Sequence, residues 1–112
     1  MIVGTGNHRY QAVPSWGAER NLGIASGVAT DSQDRVYVVD REPNPAIVVY
    51  DRDGHFIAAW GQDILALPHE IWIDAADRVY IADCGDHTLR IFSAGGELLQ
   101  TIGAPHAKGS DG

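Results

Sequence analysis

An all-β fold made of four-stranded antiparallel blades is predicted by three features of the sequence. These are an internal repeat, short alternating apolar runs, and turn residues between the runs. The repeat pairs "GVATDSQDRVYVVDREPNPAIVVYDRDGHFIAAWG" (27–61) with "EIWIDAADRVYIADCGDHTLRIFSAGGELLQTIG" (70–103). "DRVYVVD" and "DRVYIAD" stand 43 residues apart, Asp34 to Asp77, whereas Tyr50 and Phe92 stand 42 apart. The missing residue falls between Asp83 and Phe92, where a turn belongs. Four strands repeated at this period make a β-propeller blade.

The elements follow in order. Residues 9–17, "RYQAVPSWG", resemble the end of "HFIAAWG" and are expected to form the outer strand of another blade, a latch. The first full blade, 27–61, takes its strands from the runs 28–31, 36–40, 47–50 and 56–60, rich in Val, Ile, Tyr and Trp. "DSQD" joins its first two strands and "DRDG" its last two, with Gly54 free to take positive φ. The second blade, 70–103, repeats the pattern with "DAAD" and "SAGG", and 104–112 is a polar, Gly-rich tail expected to be flexible. No helical period runs through any of it. A propeller needs roughly four to eight blades, so two blades and a strand make an incomplete one. The apolar residues Val36, Val38, Val48 and Trp60 in one blade, and Ile71, Ile73, Ile81 and Ile91 in the other, are expected to face neighbours. The remaining blades, or further copies of the chain, are the expected cover.

Composition narrows the function. The 112 residues suit one domain, and 45% hydrophobic with 21% charged residues is a globular balance. A net charge of −7 argues against a phosphate backbone as partner, so no nucleic acid is expected. No apolar run approaches a membrane helix, and "MIVGTGNHRY" has no signal-peptide pattern. Cys84 is the sole cysteine and has no intramolecular disulfide partner. A cytoplasmic, membrane-free location is the expectation.

One histidine is not explained by strand periodicity. His69 follows Pro68 and precedes a strand, at the entrance to what would be an inner strand. Such entrances converge on the propeller axis. One imidazole from each of three blades would give a zinc three nitrogen ligands and an open position. The other histidines read differently: His87 as a turn residue, His55 as surface after a D-G turn, and His8 and His106 as end residues. Asp31 and Asp74 occupy equivalent turns and are read as structural. Trp16, Trp60 and Trp72 are read as blade packing, and Cys84 as a small buried or turn residue.

"GDHTLRIF" resembles the NHL repeat. "SGVATDSQDRVYVVDR", "YDRDGHFIAAWG", "LPHEIWID" and "DCGDHTLRIF" resemble more closely the first blades of peptidyl-α-hydroxyglycine α-amidating lyases. These are six-bladed propellers that cleave peptidyl-α-hydroxyglycine to a peptide amide and glyoxylate. The resemblance implies that His69 is a zinc ligand, that Arg41 is the catalytic arginine, and that the backbone carbonyls of Val28 and Ile71 bind a structural calcium. The family's other two zinc histidines, its tyrosine and its calcium carboxylate lie in later blades. The chain departs from the pattern at "REPNP", where homologues read Arg-Gly-Glu-His, and at Glu70, where they favour Gly. As this chain alone, the lyase is expected to be inactive. The alternatives are an NHL module that binds a protein or peptide, and another six-bladed enzyme, lactonase-like or streptogramin-lyase-like. Each has a peptide or small-molecule ligand.

Overall fold

The computed structural model describes the backbone of residues 2–5, 8–11 and 15–103, with side chains over 15–103. Every described element is a strand. β1 (Ile2–Thr5) and β2 (His8–Gln11) form an antiparallel pair. β3 (Ile24–Thr30), β4 (Val36–Glu42), β5 (Ala46–Tyr50) and β6 (Phe56–Trp60) form the first four-stranded sheet, in chain order. β7 (Pro68–Ile73), β8 (Val79–Asp83), β9 (Thr88–Phe92) and β10 (Leu98–Ile102) form the second, also in chain order. All neighbours run antiparallel. The two sheets are the two predicted blades.

The expected strand over 9–17 is not one strand. β2 ends at Gln11, residues 15–19 form turns, and residues 12–14 lie outside the described part. The likeness of 9–17 to the end of β6 nevertheless holds in the packing. Trp16 lies 5.0 Å from Tyr50, and Trp60 lies 4.9 Å from Phe92, at similar tilts of 50° and 43°. Gly17 and Gly61 follow with φ of 75° and 88°. Segment 15–20 thus sits on the first sheet as segment 60–65 sits on the second. The expected tail, 104–112, also lies outside the described residues.

Alternation decides which residues meet between the sheets. Successive strand side chains point to opposite faces. Tyr37 and Val39 on β4, Ile47 and Val49 on β5 and Trp60 on β6 share one face. They form one buried cluster with Val79 and Ile81 on β8 and Phe92 on β9, with Ile71 and Ile73 against it. The inner strands make the closest approach, β3 and β4 lying against β7. Ser26 Oγ donates to the Pro68 carbonyl at 3.3 Å and Ser32 Oγ to Asp77 Oδ2 at 2.6 Å, fastening both ends of the interface.

This corrects two expected faces. Trp60 lies opposite to Val36, Val38 and Val48, because it pairs with Ile47. Ile91 pairs with Tyr80 and lies opposite to Ile71, Ile73 and Ile81. Val38, Val48 and Tyr50 form the far-face cluster of the first sheet, with Trp16 packed on it. The far face of the second sheet keeps Trp72 47% exposed, stacked on Tyr80 with ring centroids 4.8 Å apart. Tyr80, Ala82, Leu89, Ile91 and Ile102 there occupy the positions of Tyr37, Val39, Ile47, Val49 and Trp60 in the first sheet. The open face therefore repeats the chemistry of the face that already holds a sheet.

The turn aspartates are structural, as the repeat implies. Asp31 accepts from the backbone N–H of Gln33 and Arg35, from Arg35 Nε at 2.7 Å and from Tyr37 Oη at 2.8 Å. Asp74 repeats the set with Ala76, Arg78 and Tyr80. Burial of Asp31 works to raise its pKa, but these donors outweigh it and hold the carboxyl below its usual range. Asp74, held first by the Arg78 N–H against a smaller burial effect, is lowered to about 2. Burial and the bond to Asp31 push Tyr37 up to about 12.

Candidate functional site

The residues singled out by the sequence gather at one end of the sheet pair. β3 and β4 are antiparallel, so the start of β3 lies beside the end of β4. There the ladder pairs Ile24 with Glu42, Ala25 with Asp40 and Gly27 with Val39, passing over Arg41 and Ser26. The start of β7 is irregular too: Pro68 pairs with Asp83 and Glu70 with Ala82, so His69 is passed over. Arg41 and His69 each sit at a bulge. Bulges turn a side chain away from the regular pleat and gather beside functional sites.

Ser26 joins the two bulges. Its hydroxyl bonds the Pro68 carbonyl, and a Cβ on Gly27 would sit 3.6 Å from the His69 carbonyl oxygen and 3.3 Å from Ile71 Cγ2. Gly27 lets the two inner strands close up at this point. Val28 and Ile71 follow on those strands, pairing with Val38 and Ile81. The Val28 side chain is 64% exposed on the far face of the first sheet, whereas Ile71 packs into the core between the sheets.

Two further aspartates set the height of the strand entrances. Asp83 accepts from the N–H of Ala66 and Leu67, both at 2.8 Å, and of Gly85 at 3.0 Å. The Cys84 N–H closes the same corner on the Leu67 carbonyl. The chain leading into Pro68–His69 is thereby pinned to the end of β8. Asp40 does the same for the first sheet by accepting from the Gly23 N–H at 3.0 Å. The sequence signal for this pair was the repeated "VVD" and "IAD" ending, which places an acceptor beside each incoming segment.

The side chains at this end keep unused capacity. His69 is half exposed, and its Nδ1 stands 3.8 Å from Glu70 Oε1, too far for a hydrogen bond. Arg41 Nη2 donates to Glu42 Oε1 at 3.2 Å. Arg41 Nε is enclosed and meets no acceptor among the described residues. His87 and Cys84 lie in the turn between β8 and β9, His87 with φ 58° and Cys84 exposed. His55 is exposed at the other sheet's hairpin turn.

A catalytic zinc takes three protein ligands, and His69 is the residue that the resemblance offers for one of them. Among the described residues, no three His, Cys, Asp or Glu side chains converge to hold a metal ion.

No protein-family model matches the chain. It is similar to NHL repeat-containing protein 3 of Mus musculus, 34% identical over 102 residues, covering 83% of this chain and 29% of that protein. It is similar to NHL repeat-containing protein 3 of Homo sapiens, 36% identical over 92 residues, covering 74% of this chain and 26% of that one. The B-box type zinc finger protein ncl-1 of Caenorhabditis elegans is 32% identical over 63 residues, 56% of this chain and 7% of that protein. The chain spans between a quarter and a third of the length of the first two, 29% and 26%. The two repeated sheets and these similarities support an NHL-repeat β-structure, built as propeller-like blades and incomplete within this chain.

Proposed function

We propose that the chain is a section of a propeller-like module that binds a protein or peptide, with the Arg41–His69 end of its sheets as the ligand face. The observation that carries this is the Arg41 side chain, whose enclosed Nε has no acceptor among the described residues and whose Nη2 donates to Glu42. A buried donor left unmet costs about 1–3 kcal/mol. A carboxylate can take the outward guanidinium N–H groups, and a shift of the side chain that opened Nε would let it form two parallel bonds and relieve that cost. The half-exposed imidazole of His69 at the neighbouring bulge adds a second polar group at the same end. In this reading a further sheet covers the open face of Trp72, Tyr80, Leu89 and Ile91, because the equivalent face of the first sheet holds one.

The enzymatic form of the reading, a lyase acting on peptidyl-α-hydroxyglycine, assigns the same arginine to the substrate carboxylate. It adds a zinc held by His69 together with imidazoles from blades outside this chain, and a calcium on the Val28 and Ile71 carbonyls. A carboxylate-bearing peptide is the ligand in both forms. Titration calorimetry with a short peptide acid and its C-terminal amide tests the proposal. The acid should bind more tightly, and Arg41→Ala should abolish the difference. Equal binding of acid and amide, or no binding of either, would overturn it.

A further inference from the structure

Both sheets carry a Trp-Gly segment seated on the hairpin between their last two strands, but the two seats are fastened differently. On the second sheet, Trp60 packs over Phe92, and a Cβ on Gly96 would meet Trp60 Cγ at 2.4 Å. On the first, Trp16 packs over Tyr50, and a Cβ on Gly54 would meet Trp16 Cγ at 2.6 Å. The repeat demands this much in both. The first seat has more. Glu19 Oε2 is 3.0 Å from His55 Nδ1, and Glu19 Oε1 accepts from the Phe56 N–H at 3.0 Å. Arg20 stands over the Phe56 ring at 5.4 Å, Trp16 Nε1 donates to the Arg52 carbonyl, and the Gly17 N–H donates to the Gly54 carbonyl. In the second sheet the positions of Glu19 and His55 are held by Asp63 and Glu97, two like charges that cannot pair. The Glu19–His55 contact is thus a property of this segment and not a requirement of the fold.

We propose that residues 15–20 form a strap whose hold on the first sheet follows the charge of His55. The charged groups facing His55 are Glu19 from the strap and Asp51 and Asp53 from the hairpin turn, with Arg20 beyond Phe56 as the one nearby cation on the strap. The anions favour the imidazolium. Glu19, through its hydrogen bond, is the largest of these influences, and it raises the His55 pKa above the ordinary value. A histidine raised in this way contributes its stabilisation fully below the ordinary pKa near 6.5 and loses it as pH rises through the raised one. The strap grips below the ordinary imidazole value and loosens as pH rises through the raised one. Loosening uncovers Tyr50 and the cluster of Val38, Ala46 and Val48 beneath Trp16. This goes beyond the ligand reading above and stands without it.

The test is nuclear magnetic resonance on the 112-residue chain, wild type, Glu19→Gln and His55→Gln, between about pH 5 and 8. The His55 ring should titrate at lower pH in Glu19→Gln than in the wild type. Amide-exchange protection of Gly17 and Phe56, corrected for intrinsic exchange, should fall about two- to fivefold across this range in the wild type, as an exposed ion pair allows. It should be flat in both variants, with β4 and β5 amides unchanged as the folding control. The same His55 midpoint in wild type and Glu19→Gln, or flat protection in the wild type, would overturn the proposal.

Discussion

Replacing Arg90 by Leu should be among the most destabilising single changes in the chain. The guanidinium is 6% exposed, and its Nη1 and Nη2 lie 3.0 Å from Asp83 Oδ2 and 2.6 Å from Asp86 Oδ2. Both carboxylates are buried, so removing the cation strands negative charge in a poorly solvated place. Breaking a buried pair from one side typically costs about 3–5 kcal/mol. Asp83 retains three backbone donors, from Ala66, Leu67 and Gly85. Asp86 retains the Thr88 hydroxyl at 2.7 Å. Removing one of the two stranded carboxylates should recover part of the loss, so Arg90→Leu with Asp86→Ala should be more stable than Arg90→Leu alone. The first sheet shows that a blade folds without this cation, since Val48 stands at the equivalent position and is fully buried. Urea unfolding followed by tryptophan fluorescence measures both variants. A loss below about 1 kcal/mol for Arg90→Leu would mean that the guanidinium does not hold these carboxylates, and the reasoning would fail. Loss of unfolding cooperativity is compatible with it, since about 3–5 kcal/mol is a large part of a small domain's stability.

Gly96→Ala should destabilise strongly, because φ is 94° and the new methyl would lie 2.4 Å from Trp60 Cγ. Its neighbour Gly95→Ala should be near neutral in the same thermal melt, having no heavy atom within 4 Å of the added carbon. Acid should weaken the fold through the turn aspartates. Their lowered pKa values, about 2 for Asp74, mean the stabilisation is present above the ordinary carboxylate value and is lost as pH falls towards 2. Urea midpoints from pH 5 down to pH 2.5 should drop less steeply in Asp74→Asn than in the wild type. Trp72→Ser with Ile91→Ser should reduce concentration-dependent light scattering, since both residues belong to the open face of the second sheet.

The fold was legible because the repeat and the strand alternation agree. "DRVYVVD" and "DRVYIAD" fixed the second strand of each sheet, and the alternating runs of the first sheet match its strands to within two residues, except that β3 begins at Ile24, four residues before the expected run. What misled was the assignment of faces from lists of apolar residues. Trp60 and Ile91 change face relative to Val48 and Ile81 because pairing partners, and not hydrophobicity, set the side on which a residue falls. The 9–17 segment was legible as a repeat of the Trp-Gly seat but not as a hairpin strand, because its pairing partner, β1, has no counterpart in the repeat. At the candidate site, Pro-His marked His69, whereas Arg41, after "VVD", was marked only by the resemblance to the amidating lyases. The bulges that single both out depend on skipped pairings that no local pattern displays. The Glu19 contact with His55, 36 residues away, likewise depends on a partner distant in sequence.

The measurement closest to the central claim is the Arg41 Nε–H resonance itself, followed in an isotope-labelled chain as a peptide is added. The proposal predicts that a peptide with a free C-terminal carboxylate moves this resonance downfield and slows its exchange with water, while the matching amide leaves it in place. His69 ring signals should shift with the acid as well. An Arg41 Nε–H that responds to neither peptide, or equally to both, would contradict a carboxylate-binding face at this end of the sheets.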